Sequence, residues 1–464
     1  MCDRRATGVV RNPQPDSGSP APRWGKEDPH TSRADLGEGH VLSSSHHAAH
    51  HADVVIVGAG VSGLAAAHHL IAAGVTVSVL ETADDPGGRM ATESADGFRL
   101  DRVGQLLNTA YTEPARTPGL TGLVLRPFAP GVLVHGADGR QQRAGALTPA
   151  RALASGSLDQ ARFSAALGRL AALPPDRVLA RPERTALAAL GSRGLPPRTV
   201  TGVLRPLLST LLRDPELTTS SRVADLALRT FARGRLAVPE GGAATLPGLL
   251  AAALPPGTIR TGIRVRSVAT NLVTTEEHGD FGCRAVLLAT GARAAAELLP
   301  GLRVPAFHEV TVIHHATPEP LPWDGSLLLD ADPKWPLAHT TVMSAIDPTR
   351  APAGRSLVTT TVHGPPPPAR TVASRLARLY ETPTRDWELL AVHHTPEAVP
   401  AMPPPHDRQR PVRVLAGLYV CGDHRDSNTV QGALHSARRA ATALLRDFGI
   451  PLPARPEPAL PAAA

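Results

Sequence analysis

Lysine is almost missing from this chain. Only Lys26 and Lys334 occur in 464 residues, and arginine supplies the rest of the positive charge behind a formal net charge of +7. Aromatic residues are also scarce, at 3%. A basic protein with so few rings, and no Lys/Arg run interleaved with them, lacks the stacking platforms that nucleic acid binding uses, so no nucleic-acid partner is expected. The joint abundance of Arg, Ala and Pro reads as coding bias. Cysteine is limited to Cys2, Cys283 and Cys421, with no CxxC pair. That excludes a disulfide framework and fits a reduced, cytoplasmic setting. No run of 18 apolar residues occurs, so no transmembrane segment is expected. Arg4-Arg5 precedes no apolar stretch, which argues against a twin-arginine leader. His46, His47, His50 and His51 fall in a low-complexity tract and read as solvated, so no metal site is expected.

The strongest signal is Asp53-Val-Val-Ile-Val-Gly58-Ala59-Gly60-Val-Ser62-Gly63-Leu. An apolar run bounded by glycine reads as a buried strand, and the spaced glycines lead into a helix. Gly58 permits the tight turn, Gly60 lets backbone approach a pyrophosphate, and Gly63 lets the helix pack against the strand. The helix N-terminus then holds the phosphate charge. A second strand, Val75–Leu80, ends at Glu81. A carboxylate roughly 20 residues beyond such a turn binds a ribose diol, which favours a non-phosphorylated adenosine.

Residues 1–51 are rich in Ser, Pro, Gly and His and read as a disordered tail; 449–464 read as a flexible one. Hairpins are expected around Asp96-Gly97 and Asp138-Gly139. Residues 147–235 have a helical pattern broken at Pro174-Pro175, Pro196-Pro197 and Pro215. Strands are expected at Ile263–Val268, Ala285–Thr290, Val310–His314, Ser326–Leu329, His339–Ser344, Ser356–Val362 and Trp387–His393. A last strand reaches Gly422-Asp423, followed by a helix over Val430–Arg446. Nucleotide-fold texture thus recurs in three blocks, at 52–110, 236–304 and 411–448. Different texture at 111–235 and 305–410 makes a second domain.

The turn motif, Glu81, Gly87-Gly88-Arg89 and Gly422-Asp423 before a small-residue helix together resemble the flavin-containing amine oxidoreductase superfamily. That group includes monoamine oxidases, protoporphyrinogen oxidase and phytoene desaturases. The resemblance runs from about Asp53 to Phe448. It implies an α/β protein whose Rossmann-like FAD-binding domain is discontinuous in sequence, with an interleaved α+β substrate domain. It assigns Gly58, Ala59, Gly60, Ser62 and Gly63 to the FAD pyrophosphate and Glu81 to the adenosine ribose. Gly88 and Arg89 go to the diphosphate and flavin, where a planar guanidinium suits a flat anionic surface. Val265 matches the strand that meets the adenine, and Thr290 and Gly291 the strand returning to the nucleotide. Gly422 and Asp423 go to the ribityl or pyrophosphate region; Val430, Gly432 and Ala433 turn N–H groups towards the flavin pyrimidine.

The implied activity is hydride transfer from a C–N or C–C bond of a small organic substrate to flavin N5. Oxygen, a quinone or another carrier is the acceptor. No catalytic acid or base stands out, and flavin chemistry does not demand one. His314/His315 and His393/His394 read as core or surface histidines, and Trp335 and Trp387 as core or cavity residues. Cys421 reads as buried and not as a covalent flavin anchor. Three departures bear on activity. Val310–His314 holds no lysine where amine oxidases of this group place one near flavin N5. Ser427–Gln431 holds no cage tyrosine. Val103 and Ala437 stand where glycine is usual. Three alternatives follow: a carotenoid desaturase or protoporphyrinogen-type oxidase, an NAD-dependent dehydrogenase, and a non-catalytic flavin-binding protein.

Overall fold

The computed structural model describes residues 50–136, 138–145, 150 and 157–452. Strand β1 (His50–Val57) leads through the glycine turn into helix α1 (Val61–Ile71), and β2 (Val77–Leu80) follows. β1 lies between β2 and Asp280–Leu288, parallel to both, with Val54 opposite Val77 and Ala285. Leu418–Val420 adds a further parallel neighbour to Asp280–Leu288. The eight-stranded sheet is completed by Ile259–Arg260, the antiparallel strands Leu272–Thr275 and Val265–Val268, and Arg413–Leu415.

The near-continuous apolar run of β1 follows from burial on both faces. Val54 and Ile56 pack with Leu64 and Leu70 of α1 and with Leu434 and Leu444 of the C-terminal helix Val430–Asp447. Val55 and Val57 face a separate cluster that includes Leu288 and Val420. Strand β1 starts at His50, so the expected tail boundary at residue 51 is corrected: His50 and His51 pair with Phe281 and Gly282. His46 and His47 lie outside the described residues. At the other end, the Ile450 N–H bonds to the Leu445 carbonyl and closes the last helix beyond the expected boundary at 448.

A second, seven-stranded sheet runs in the order Glu388–Pro400, Phe307–Thr317, Ser356–His363, Leu337–Val342, Leu328–Asp330, Val132–His135 and Gln141–Ala144. Its pairs are antiparallel except for Leu328–Asp330 beside Val132–His135. The expected turns are present: Asp96 and Gly97 both have positive φ, as does Gly139. Pro175 and Pro197 begin helices at their first turn, where a missing N–H costs nothing. A small third sheet pairs Leu107–Asn108 and Leu125–Pro127 with Leu236–Pro239. It joins residues from both sides of the sequence boundaries expected at 110 and 235. No helix among the described residues is long and apolar enough to cross a membrane.

Candidate active site

The ends of the parallel strands converge on one cleft, the usual ligand position in such sheets. Gly58 turns with φ of 103°, and a Cβ there would meet the Ala289 backbone at 3.1 Å. Gly63 is pressed harder, since its Cβ would fall 2.0 Å from the Gly58 carbonyl oxygen. Gly60 differs from both. Nothing lies within 4 Å of its Cβ position, and it heads α1 with no side-chain cap and no acid in the first turn. The uncapped N-terminus leaves its donors to an anion.

Glu81 is fixed by its backbone neighbours. The Ala59 N–H donates to Oε2 at 2.7 Å and the Ala83 N–H to Oε1 at 3.0 Å. The Gly87 N–H donates to the Ala59 carbonyl at 3.0 Å and lays the Gly87-Gly88-Arg89 loop beside the turn. Arg89 then spans the cleft. Its Nη2 donates to Asp423 Oδ1 at 2.7 Å, and its Nη1 to the Ala398 carbonyl at 2.9 Å. Burial alone would raise the Asp423 carboxyl, but the Arg89 guanidinium outweighs it and holds the acid below its ordinary range. Burial pushes His424 down to about 4, so its imidazole is neutral at pH 7. Its buried Nδ1 has no hydrogen-bond partner among the described residues, and Asp423 Oδ1 lies 4.0 Å away.

Opposite α1, Thr429 caps the Val430–Asp447 helix by accepting the Gly432 N–H at 3.1 Å. Gly432 is obligatory there, because its Cβ would lie 2.1 Å from the Ser427 carbonyl oxygen. Ser62 Oγ ties the two helices by donating to the Ala433 carbonyl at 3.2 Å.

A cleft of about 710 Å³ brings together Gly58, Gly60, Ser62, Glu81, Gly88, Arg89, Thr290, Gly291, Gly422, Asp423, Val430 and Ala433. Ala59, Gly63 and Gly432 do not line it and act through packing and the bonds just given. Val265 does not line the cleft either. It begins a strand at the end of the sheet and packs towards Val273 and Phe281. Ile263, two positions earlier, makes the backbone bond to the Glu81 carbonyl. Gln105, Phe307, Thr395, Glu397, His424, Asn428 and Thr429 also line the cleft and escaped the sequence reading. Gln105 follows Val103-Gly104, a stretch already singled out, and Thr429 is a helix-capping residue type.

A second cavity, of about 300 Å³, shares Gln105, Asn428 and Thr429 with the cleft. Tyr111, Thr210, Arg213 and Gln431 also line it. Among the described residues, no lysine lines either cavity, and Lys334 is exposed. Trp335 and Trp387 line neither; Trp387 packs on His315 and Tyr380, and Arg375 lies over Trp335. His314 and His315 are both buried, because sheet packing covers both faces of Phe307–Thr317. His314 is satisfied by Thr359 and the Asp101 carbonyl. Cys421 is fully buried, and burial pushes its thiol up to about 12.

The open Gly60 cradle, the uncapped α1 and the backbone-fixed Glu81 fit a dinucleotide, and a cleft of this volume is of ligand size. Residues 61–445 match the family model described as flavin containing amine oxidoreductase. A putrescine oxidase of Kocuria rosea is 51% identical over 61 residues, 13% of this chain and 13% of that protein. A phytoene dehydrogenase of Streptomyces griseus is 56% identical over 48 residues, 10% of each. The chain therefore spans only a small part of these curated relatives. Among solved structures, the cyclohexylamine oxidase of Brevibacterium oxydans IH-35A superposes with a TM-score of 0.64 at 20% identity, covering 86% of this chain and 99% of that one. The chain belongs to the flavin-containing amine oxidoreductase family.

Proposed function

We propose that this enzyme oxidises a C–N bond of a small organic amine. The observation that carries the proposal is the cavity of about 300 Å³ that shares Gln105, Asn428 and Thr429 with the cleft. Bound FAD supplies the hydride acceptor, flavin N5, and oxygen, a quinone or another carrier takes the electrons onward. The chain's own task is to seat and orient the substrate and exclude water. Burial pushes the Tyr111 phenol up to about 12, so it serves as a neutral hydrogen-bonding group beside Thr429. The two described cysteines, buried and unpaired, support a cytoplasmic setting.

A desaturase acting on a C–C bond is the second reading, favoured by the lack of any lysine lining the cavities. The cavity volume, at the low end for ligand sites, supports a small substrate over a polyene or macrocycle. Family membership argues against the nicotinamide reading. The test is anaerobic mixing of the FAD-loaded enzyme with a panel of primary and secondary amines. Bleaching of the flavin bands by a member of the panel is expected. Bleaching only by a polyene or a porphyrinogen would transfer the assignment to C–C oxidation.

A further inference from the structure

The cavity beside the flavin cleft has a one-sided charge. Among the described residues that line it, Arg213, Arg229 and Arg408 are basic and none is acidic. Arg408 has Asp426 at 3.7 Å as a counter-ion. Arg213 has none. Its Nη1 donates to the Val103 carbonyl at 3.1 Å and its Nη2 to the Gly104 carbonyl at 2.5 Å. Tyr111 and Arg89 act on its charge, and its charge acts in turn on His339 and His363; none of these is a carboxylate. The residue is only 7% exposed. Burial pulls its guanidinium down to about 10, which leaves it cationic at neutral pH. A guanidinium carries five N–H donors, and these two bonds leave others without a partner among the described residues of a side chain that lines the cavity. A buried cation without a counter-ion is unfavourable until an anion joins it. Backbone strain places it there: Arg213 ends the helix Arg205–Leu212 in the left-handed region, at φ 55° and ψ 31°. Such strain in a non-glycine residue persists where surroundings over-determine it, as ligand sites do.

We propose that Arg213 receives a carboxylate of the substrate, so that the molecule oxidised here is an acid-bearing amine and not a di- or polyamine. This rests on reading the cavity as the substrate site. A carboxylate matches the planar fork of the guanidinium and supplies the missing counter-charge. A diammonium chain would instead meet a wall of arginines.

The experiment is calorimetric titration of the FAD-loaded enzyme with 4-methylpentanoate, a carboxylate with no amine to oxidise, and separately with 1,4-diaminobutane. The native enzyme is expected to bind the carboxylate and not the diamine at equal concentration. Arg213→Gln should lose at least tenfold in carboxylate affinity, with Arg213→Lys between the two. The visible flavin spectrum of each variant reports separately whether the cofactor is seated. Tighter diamine binding by the native enzyme, or undiminished carboxylate binding by flavin-loaded Arg213→Gln, overturns the proposal. The native comparison stands even if a variant fails to fold. A flavin that no amine bleaches, alongside Arg213-dependent carboxylate binding, would sink amine oxidation while leaving the anion site in place.

Discussion

Gly60 and Gly63 stand three positions apart in opposite surroundings, and substitution should separate them. Gly60 has φ of −73° and open space at its Cβ position. Gly60→Ala should therefore leave the unfolding free energy of the cofactor-free protein within about 0.5 kcal/mol of the original. It should still lower FAD affinity at least tenfold, because the methyl group occupies the face the pyrophosphate approaches. Gly63→Ala forces a methyl against the Gly58 carbonyl and should cost on the order of 1–3 kcal/mol of stability. Denaturant titration with flavin fluorescence checks both; equal stability losses would contradict the distinction. These glycines and Glu81 were legible in the sequence because each answers a local backbone demand. Arg213 was not. What makes it notable is that no carboxylate among the described residues pairs with it, and that it bonds to the Val103 carbonyl 110 positions away; no local pattern encodes either.

Elements were read well where turn chemistry or capping marks them. Asp96-Gly97 is one such turn, and the C-terminal helix begins one residue after a capping threonine. Thr429→Ala should destabilise the fold by about 1 kcal/mol. It should also weaken FAD retention, since Thr429 lines the cleft; gel filtration followed by the flavin-to-protein absorbance ratio measures that loss. The strand expected to stop at His393 runs on to Pro400. Pro396 falls inside it, and proline cannot donate to a ladder. Yet this strand is the edge of the seven-stranded sheet, where proline is tolerated. The misplaced end hid Thr395 and Glu397, which line the cleft.

For the whole molecule, buried histidine dominates the expected response to acid. Burial pushes His314, His315 and His363 down to about 4 and His339 to about 3. Unfolded, each would titrate near about 6.5. Between those values the unfolded chain binds more protons than the folded one, so stability falls as pH drops. Each site contributes at most about 1.4 kcal/mol per pH unit in that window. Stability should be level above pH 6.5 in this respect and decline steeply towards pH 4. Thermal unfolding from pH 4 to 8 tests this, and a flat profile would show that these imidazoles titrate in the fold as they do in the unfolded chain. The α/β class was legible from the three recurring blocks. The third sheet was not, because its short strands pair across wide sequence gaps.

The bond between Arg89 and Asp423 joins residues 334 positions apart. During synthesis at roughly 5–20 residues per second, the wall that carries Glu81 and Arg89 therefore waits many seconds for its opposite wall. A nascent chain halted before Gly422 holds half a cleft and cannot clasp its flavin. With the flavin held between these two walls, cofactor capture would be a closing event in biogenesis, securing the fold by mass action only once the chain is nearly finished.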